Sequence, residues 1–105
     1  MKKSILLALT AIIFAGCSKE NNEVVVTNLS GYDWYDTQLW YTNNKDAMEG
    51  YSEVGNVYIG ETCSVETDCR YIVVSAKDKR GNLIMSDYMD ATNGIVKVDR
   101  DDLLR

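Results

Sequence analysis

Residues 69–76, Cys69-Arg70-Tyr71-Ile72-Val73-Val74-Ser75-Ala76, decide the fold of this chain. From Tyr71 to Ala76 the run is apolar on both faces and rich in β-branched side chains, which predicts a central strand. Immediately before it, Glu61 to Glu66 alternates polar and small apolar residues, the pattern of a half-buried strand. The two stretches are expected to form a hairpin that turns about Glu66. Further strand candidates run from Glu23 to Leu29, Trp34 to Tyr41, Val54 to Ile59, Asn82 to Met89 and Ile95 to Asp99. Turn-forming clusters separate them at Asn28–Gly31, Thr42–Asp46, Lys77–Asn82 and Ala91–Gly94, where Asn93-Gly94 readily supplies positive φ. About seven short strands at this spacing, without a long helix-period segment, predict an all-β, single-domain β-sandwich, immunoglobulin-like or transthyretin-like, over residues 23–105. Helical turns fit only at Ala47-Met48-Glu49 and Asp101–Leu104. The chain has no proline, so its edge strands must be blunted by charge, for which Lys97, Asp99 and Asp36 are candidates.

The first residues carry an address. Met1, Lys2 and Lys3 give a positive start, Ile5 to Phe14 is apolar but too short for a permanent span, and the small residues Ala15 and Gly16 follow. Residues 1–16 therefore read as a signal peptide. Phe14-Ala15-Gly16-Cys17 resembles the lipobox of bacterial lipoproteins, with Phe14 where an aliphatic residue is usual. The resemblance implies that the Cys17 thiol takes a diacylglycerol, that the leader is cut before it, and that the new amine is acylated, commonly with palmitate. Two or more acyl chains hold a protein stably on a membrane. Residues 17–22, Cys17-Ser18-Lys19-Glu20-Asn21-Asn22, have the composition of a flexible tether. The Lys- and acid-bearing patch after Cys17 resembles small lipoproteins of the Bacteroidota, which implies the outer membrane, with its surface face favoured over the periplasmic one. This likeness concerns the start of the chain and says nothing about the activity of residues 24–105.

The formal net charge is −5, and removal of Lys2 and Lys3 makes the remainder more acidic. Such a chain repels phosphate backbones and anionic headgroups, which argues against nucleic-acid binding and against electrostatic docking on lipid. Of the three cysteines, lipidation takes Cys17 and leaves Cys63 and Cys69. In the expected hairpin these two face one another closely enough for a disulfide. The alternative is a pair of buried thiols. Glu61, Glu66 and Asp68 disfavour a reactive thiolate, and two cysteines without histidine do not make an ordinary zinc site.

The absence of histidine removes the commonest general base and metal ligand. Asp33 with Asp36, and Asp99 with Asp101 and Asp102, are the carboxylates an enzyme would use, but they sit where solvated charge is the ordinary explanation. Asp87, Asp90, Asn93, Asp99, Asp101 and Asp102 form a weak calcium candidate if they converge at one end of the sandwich. No metal or other cofactor is expected. The best candidate for a functional surface is the aromatic group Tyr32, Trp34, Tyr35, Trp40 and Tyr41, for which core packing, a protein contact and sugar stacking all stay open. The expectation is a non-catalytic, membrane-anchored binding or structural accessory of the cell envelope with a protein partner. The rivals are a glycan-binding module and a small inhibitor or carboxylate enzyme.

Overall fold

The computed structural model describes residues 22–104, so Phe14, Ala15, Gly16, Cys17 and most of the tether lie outside the described residues. Eight strands follow one another: β1 (Glu23–Leu29), β2 (Trp34–Thr42), β3 (Gly50–Val57), β4 (Thr62–Glu66), β5 (Tyr71–Lys77), β6 (Leu83–Met85), β7 (Met89–Asp90) and β8 (Ile95–Asp99), before a 3-10 turn at Arg100–Asp102. They form two sheets, one ordered β4-β1-β8 and the other β3-β2-β5-β6, with β7 also on β5. All pairings are antiparallel except that of β1 with β8, which is parallel.

The sheets pack through their alternate residues, as period-2 patterning requires. Val24, Val26, Val65, Val96 and Val98 come from the first sheet; Trp34, Leu39, Ile72, Val74, Ala76 and Ile84 come from the second. The all-β sandwich is therefore the fold. In the immunoglobulin constant-type order the second and third strands lie in opposite sheets. Here β2 and β3 are neighbours in one sheet, which departs from that order.

The expected hairpin of residues 61–66 with 69–76 does not form. β4 pairs with β1, so Cys63 stands opposite Val26, while β5 pairs with β2. The chain between them crosses from one sheet to the other: the Thr67 N–H donates to the Asn22 carbonyl at 2.6 Å, and the Cys69 N–H to the Thr67 hydroxyl at 3.1 Å. Alternation locates β4 and the apolar run locates β5, but neither pattern says which strand lies alongside. Cys63 and Cys69 are accordingly not joined, and the disulfide expectation is corrected. β3 begins at Gly50, earlier than Val54, and the expected strand at residues 82–89 is split into β6 and β7 around Ser86-Asp87-Tyr88.

Strand directions give the sandwich two unlike ends. At the entry end lie Asn22, residues 43–49, the crossing at 67–70 and the turn at 91–94, where the Val25 N–H donates to the Gly94 carbonyl at 2.8 Å. At the far end lie residues 30–33, 58–61, 78–82 and 100–104, because β1 and β8 run the same way and β2, β4 and β6 begin there.

Candidate functional site

The aromatic residues singled out from the sequence do not make one surface. Trp34 is fully buried at 0% exposure, and its indole N–H donates to the Ser30 hydroxyl at 3.0 Å. It is a core residue that anchors the far-end loop, so of the three readings left open for it core packing is the one the structure gives. Tyr41 leans over Gly50 in the paired strand and packs against the core, so it also stands apart from a binding face. A Cβ at Gly50 would lie 2.6 Å from the Tyr41 hydroxyl oxygen, so only glycine leaves room there.

Trp40 lies on the opposite, outer face of its sheet. It stacks on Tyr51 of β3 with ring centroids 4.5 Å apart and planes at 30°, and its indole N–H donates to the Ser75 hydroxyl at 3.3 Å. Its pairing partner on β5 is Val73. This cover explains why Val73 and Ser75 are buried although, among the described residues, no second layer lies over that face. The result is a flat aromatic pair with the Gln38 amide beside it, which accepts from the Ser75 hydroxyl at 3.5 Å.

Tyr32 belongs to the far end, where most of the large exposed apolar residues collect: Leu29, Tyr32, Tyr58, Ile59, Leu83 and Leu104. Local hydrogen bonding fixes this end. Asn28 is fully buried and donates through Nδ2 to the carbonyls of Tyr32 at 2.8 Å and Val57 at 2.9 Å. Its Oδ1 accepts from the Ser30 N–H and hydroxyl, at 3.1 Å and 2.7 Å. The next loop is tied in by the Asp33 carboxylate, which accepts the Ile59 N–H at 2.9 Å. The Arg100 guanidinium lies over the Tyr32 ring, 5.4 Å from its centroid. Between them and β6 runs a groove of about 200 Å³ lined by Tyr32, Asp78, Leu83, Arg100, Leu103 and Leu104 among others. No sequence signal grouped these residues, since they come from four separate loops and strand ends.

The carboxylates are dispersed. Asp90 and Asn93 lie near the entry end, while Asp99, Asp101 and Asp102 lie at the far end, so the calcium set does not converge. Among the described residues no cluster of three or more potential ligands could hold a metal. Asp78 sits in its own turn, accepting the N–H groups of Arg80 at 2.8 Å and Asn82 at 2.9 Å. The Asn82 N–H holds its carboxyl below the usual range, with the Arg80 N–H adding to the effect. Hydrogen bonds from Thr92 do the same for Asp90. Cys63 is half-buried, and desolvation pushes its thiol up to about 11. Burial also raises Cys69, whose thiol donates to the Glu49 carboxylate at 3.5 Å. Both environments favour the neutral thiol over the nucleophilic thiolate.

Comparison with protein-family models, with curated proteins and with solved structures gives no match to this chain.

Proposed function

We propose that this chain is a non-catalytic lipoprotein of the bacterial outer membrane, tethered through Cys17 and presenting the far end of its sandwich to a protein partner. The observation that carries the reading is the opposition of two poles. The described chain enters at Asn22 at one end, while Tyr32, Ile59, Leu83 and Leu104 are exposed at the other, at 43%, 55%, 69% and 54%. Apolar side chains gathered at one pole are the ordinary mark of a contact surface. A lipidated tether at residues 17–22 would turn that pole away from the membrane. The placement of acids within their own turns favours binding over acid–base catalysis.

The anchor is tested by intact mass of protein taken from cell envelopes, which should lack residues 1–16 and carry acyl groups. Protease shaving of intact cells should remove it if it faces outward. The pole assignment is tested with a photo-crosslinking residue at position 59 or 104 and, for comparison, at position 93. Crosslinks to one defined protein are expected from the far-end positions alone; equal yield from position 93 would refute the assignment.

The stacked Trp40–Tyr51 pair favours a second reading, a glycan-binding face on the outer side of β2 and β3. Sugars should then shift tryptophan fluorescence, and Trp40→Ala should abolish the response while Trp34 continues to report the folded core. A sugar panel without any response would remove this reading.

A further inference from the structure

We propose that the far-end groove is a subsite for a polypeptide C-terminus, taking the free main-chain carboxylate on Arg100 and the leucine-sized side chain of that last residue between Leu83 and Leu104. This rests on the reading of the far end as the partner surface and names what that partner presents.

Among the described residues Arg100 forms no ion pair; its guanidinium is held over the Tyr32 ring at 5.4 Å, which orients its donors without consuming them. Asp78 and Asp102 are bound to backbone N–H groups of their own turns and not to the guanidinium, so they keep their charge but leave its donors open. Asp78 accepts the N–H groups of Arg80 and Asn82, and Asp102 accepts the Asp99 N–H at 2.8 Å. A guanidinium fork matches a carboxylate in geometry as well as sign.

Size and surface decide what bears the carboxylate. A groove of about 200 Å³ takes one or two residues' worth of side chain, too little for a long acyl chain. Leu83 and Leu104, both more than half exposed, supply apolar walls. The edge of β6 supplies main-chain groups. The Ser86 N–H donates to Val74 on β5, whereas the Met85 carbonyl accepts the Leu104 N–H at 2.8 Å on the other side. By alternation the N–H and C=O of Leu83 also point away from β5, toward the side on which the chain's own residues 102–104 already run alongside Met85 to Asp87. Strand addition at such an edge, with capture of a terminal carboxylate, is a known mode of peptide recognition. A fatty acid offers the carboxylate without main-chain partners.

The test uses the soluble domain from residue 18 onward, with a fluorescein-labelled hexapeptide of alternating threonine and valine ending in leucine with a free carboxylate. Fluorescence polarisation should show saturable binding that weakens at least about tenfold when the terminus is amidated or when Arg100→Gln is introduced. Leu83→Ser, at an exposed position that folding tolerates, should weaken it as well. Equal affinity for acid and amide, no binding at millimolar protein, or displacement by octanoate as effective as by unlabelled peptide would each overturn the proposal. Amide shift mapping separates the two levels. Perturbation confined to Leu83, Tyr32 and Leu104 but insensitive to Arg100→Gln removes the carboxylate site and leaves the pole standing. Perturbation centred on Trp40 and Tyr51 removes the pole assignment itself.

Discussion

Asn28 and Ser30 form a closed pair inside the far end of the sandwich: the Ser30 hydroxyl and N–H both donate to Asn28 Oδ1, and the Trp34 indole donates back to Ser30. All three residues are almost or completely buried. Asn28 also holds the carbonyls of Tyr32 and Val57, one on the exposed loop and one at the end of β3. The amide thus fastens the loop that carries Tyr32 to both sheets. Asn28→Ala strands several buried polar groups at a cost of about 1–3 kcal/mol each before relaxation. Guanidinium unfolding should show a loss of about 3 kcal/mol, and Asn28→Asp should be at least as damaging because a carboxylate cannot donate to either carbonyl. A loss below about 0.5 kcal/mol would show that water replaces the amide.

Thr37 presents the opposite case. Its hydroxyl is buried and has no hydrogen-bond partner among the described residues. Valine has the same shape without the polar atom, so Thr37→Val should stabilise the domain by about 1 kcal/mol. A midpoint shift to higher denaturant at unchanged m-value is the expected signature.

Gly50 and Tyr41 face each other across β2 and β3, and the phenol ring occupies the space that any Cβ at position 50 would need. Gly50→Ala should destabilise by about 1–3 kcal/mol, because the ring is displaced from its contact with the core. In a Tyr41→Leu background the same alanine should cost much less, and a double-mutant cycle reads the difference as coupling. Additive effects would mean that the ring moves aside freely.

The thiols make a pH-dependent contribution whose sign follows from their burial. Cys63 is raised from 9.0 to about 11 in the folded state, and Cys69 is raised as well. A group held neutral by folding contributes fully below the unfolded value and loses that contribution as pH rises through the folded one. Wild-type protein should therefore lose stability between about pH 9 and pH 11 faster than Cys63→Val, once the shared background of tyrosine and lysine titration is subtracted. Alkylation should be slow in native protein at pH 8 and should reach both thiols after unfolding without reductant. A requirement for reductant would contradict the separation of Cys63 from Cys69.

How far the sequence went is visible strand by strand. Glu23–Leu29 and Ile95–Asp99 were legible to the residue, because Val-rich alternation bounded by turn residues leaves little freedom. The central place of β5 was legible from its apolar run. The start of β3 was not, since Gly50-Tyr51-Ser52-Glu53 carries no apolar alternation and is held by its pairing with β2 alone. Partner choice was also hidden: Cys63 and Cys69 are close in sequence, yet Val65 gains a buried face only by joining β1. The aromatic list contained Tyr32 and Trp40 but could not separate them from Trp34 and Tyr41, because strand period alone does not tell which face of a two-layer domain is covered. Arg100 and the leucines of the groove were missed altogether. They meet only because the parallel placement of β8 beside β1 carries the last residues to the loops at 30–33 and 78–82.

That parallel pair also determines how the domain carries load. A pull applied between Asn22 and Arg100 acts on the beginning of β1 and on the chain at the end of β8, along the strand axes and in opposite senses. The hydrogen bonds between Val25–Leu29 and Ile95–Asp99 are then strained together in shear, instead of opening one after another like a zip. A domain held by its first strand and gripped near its last would transmit tension as a strap does, and single-molecule extension from these two points should show one high-force rupture.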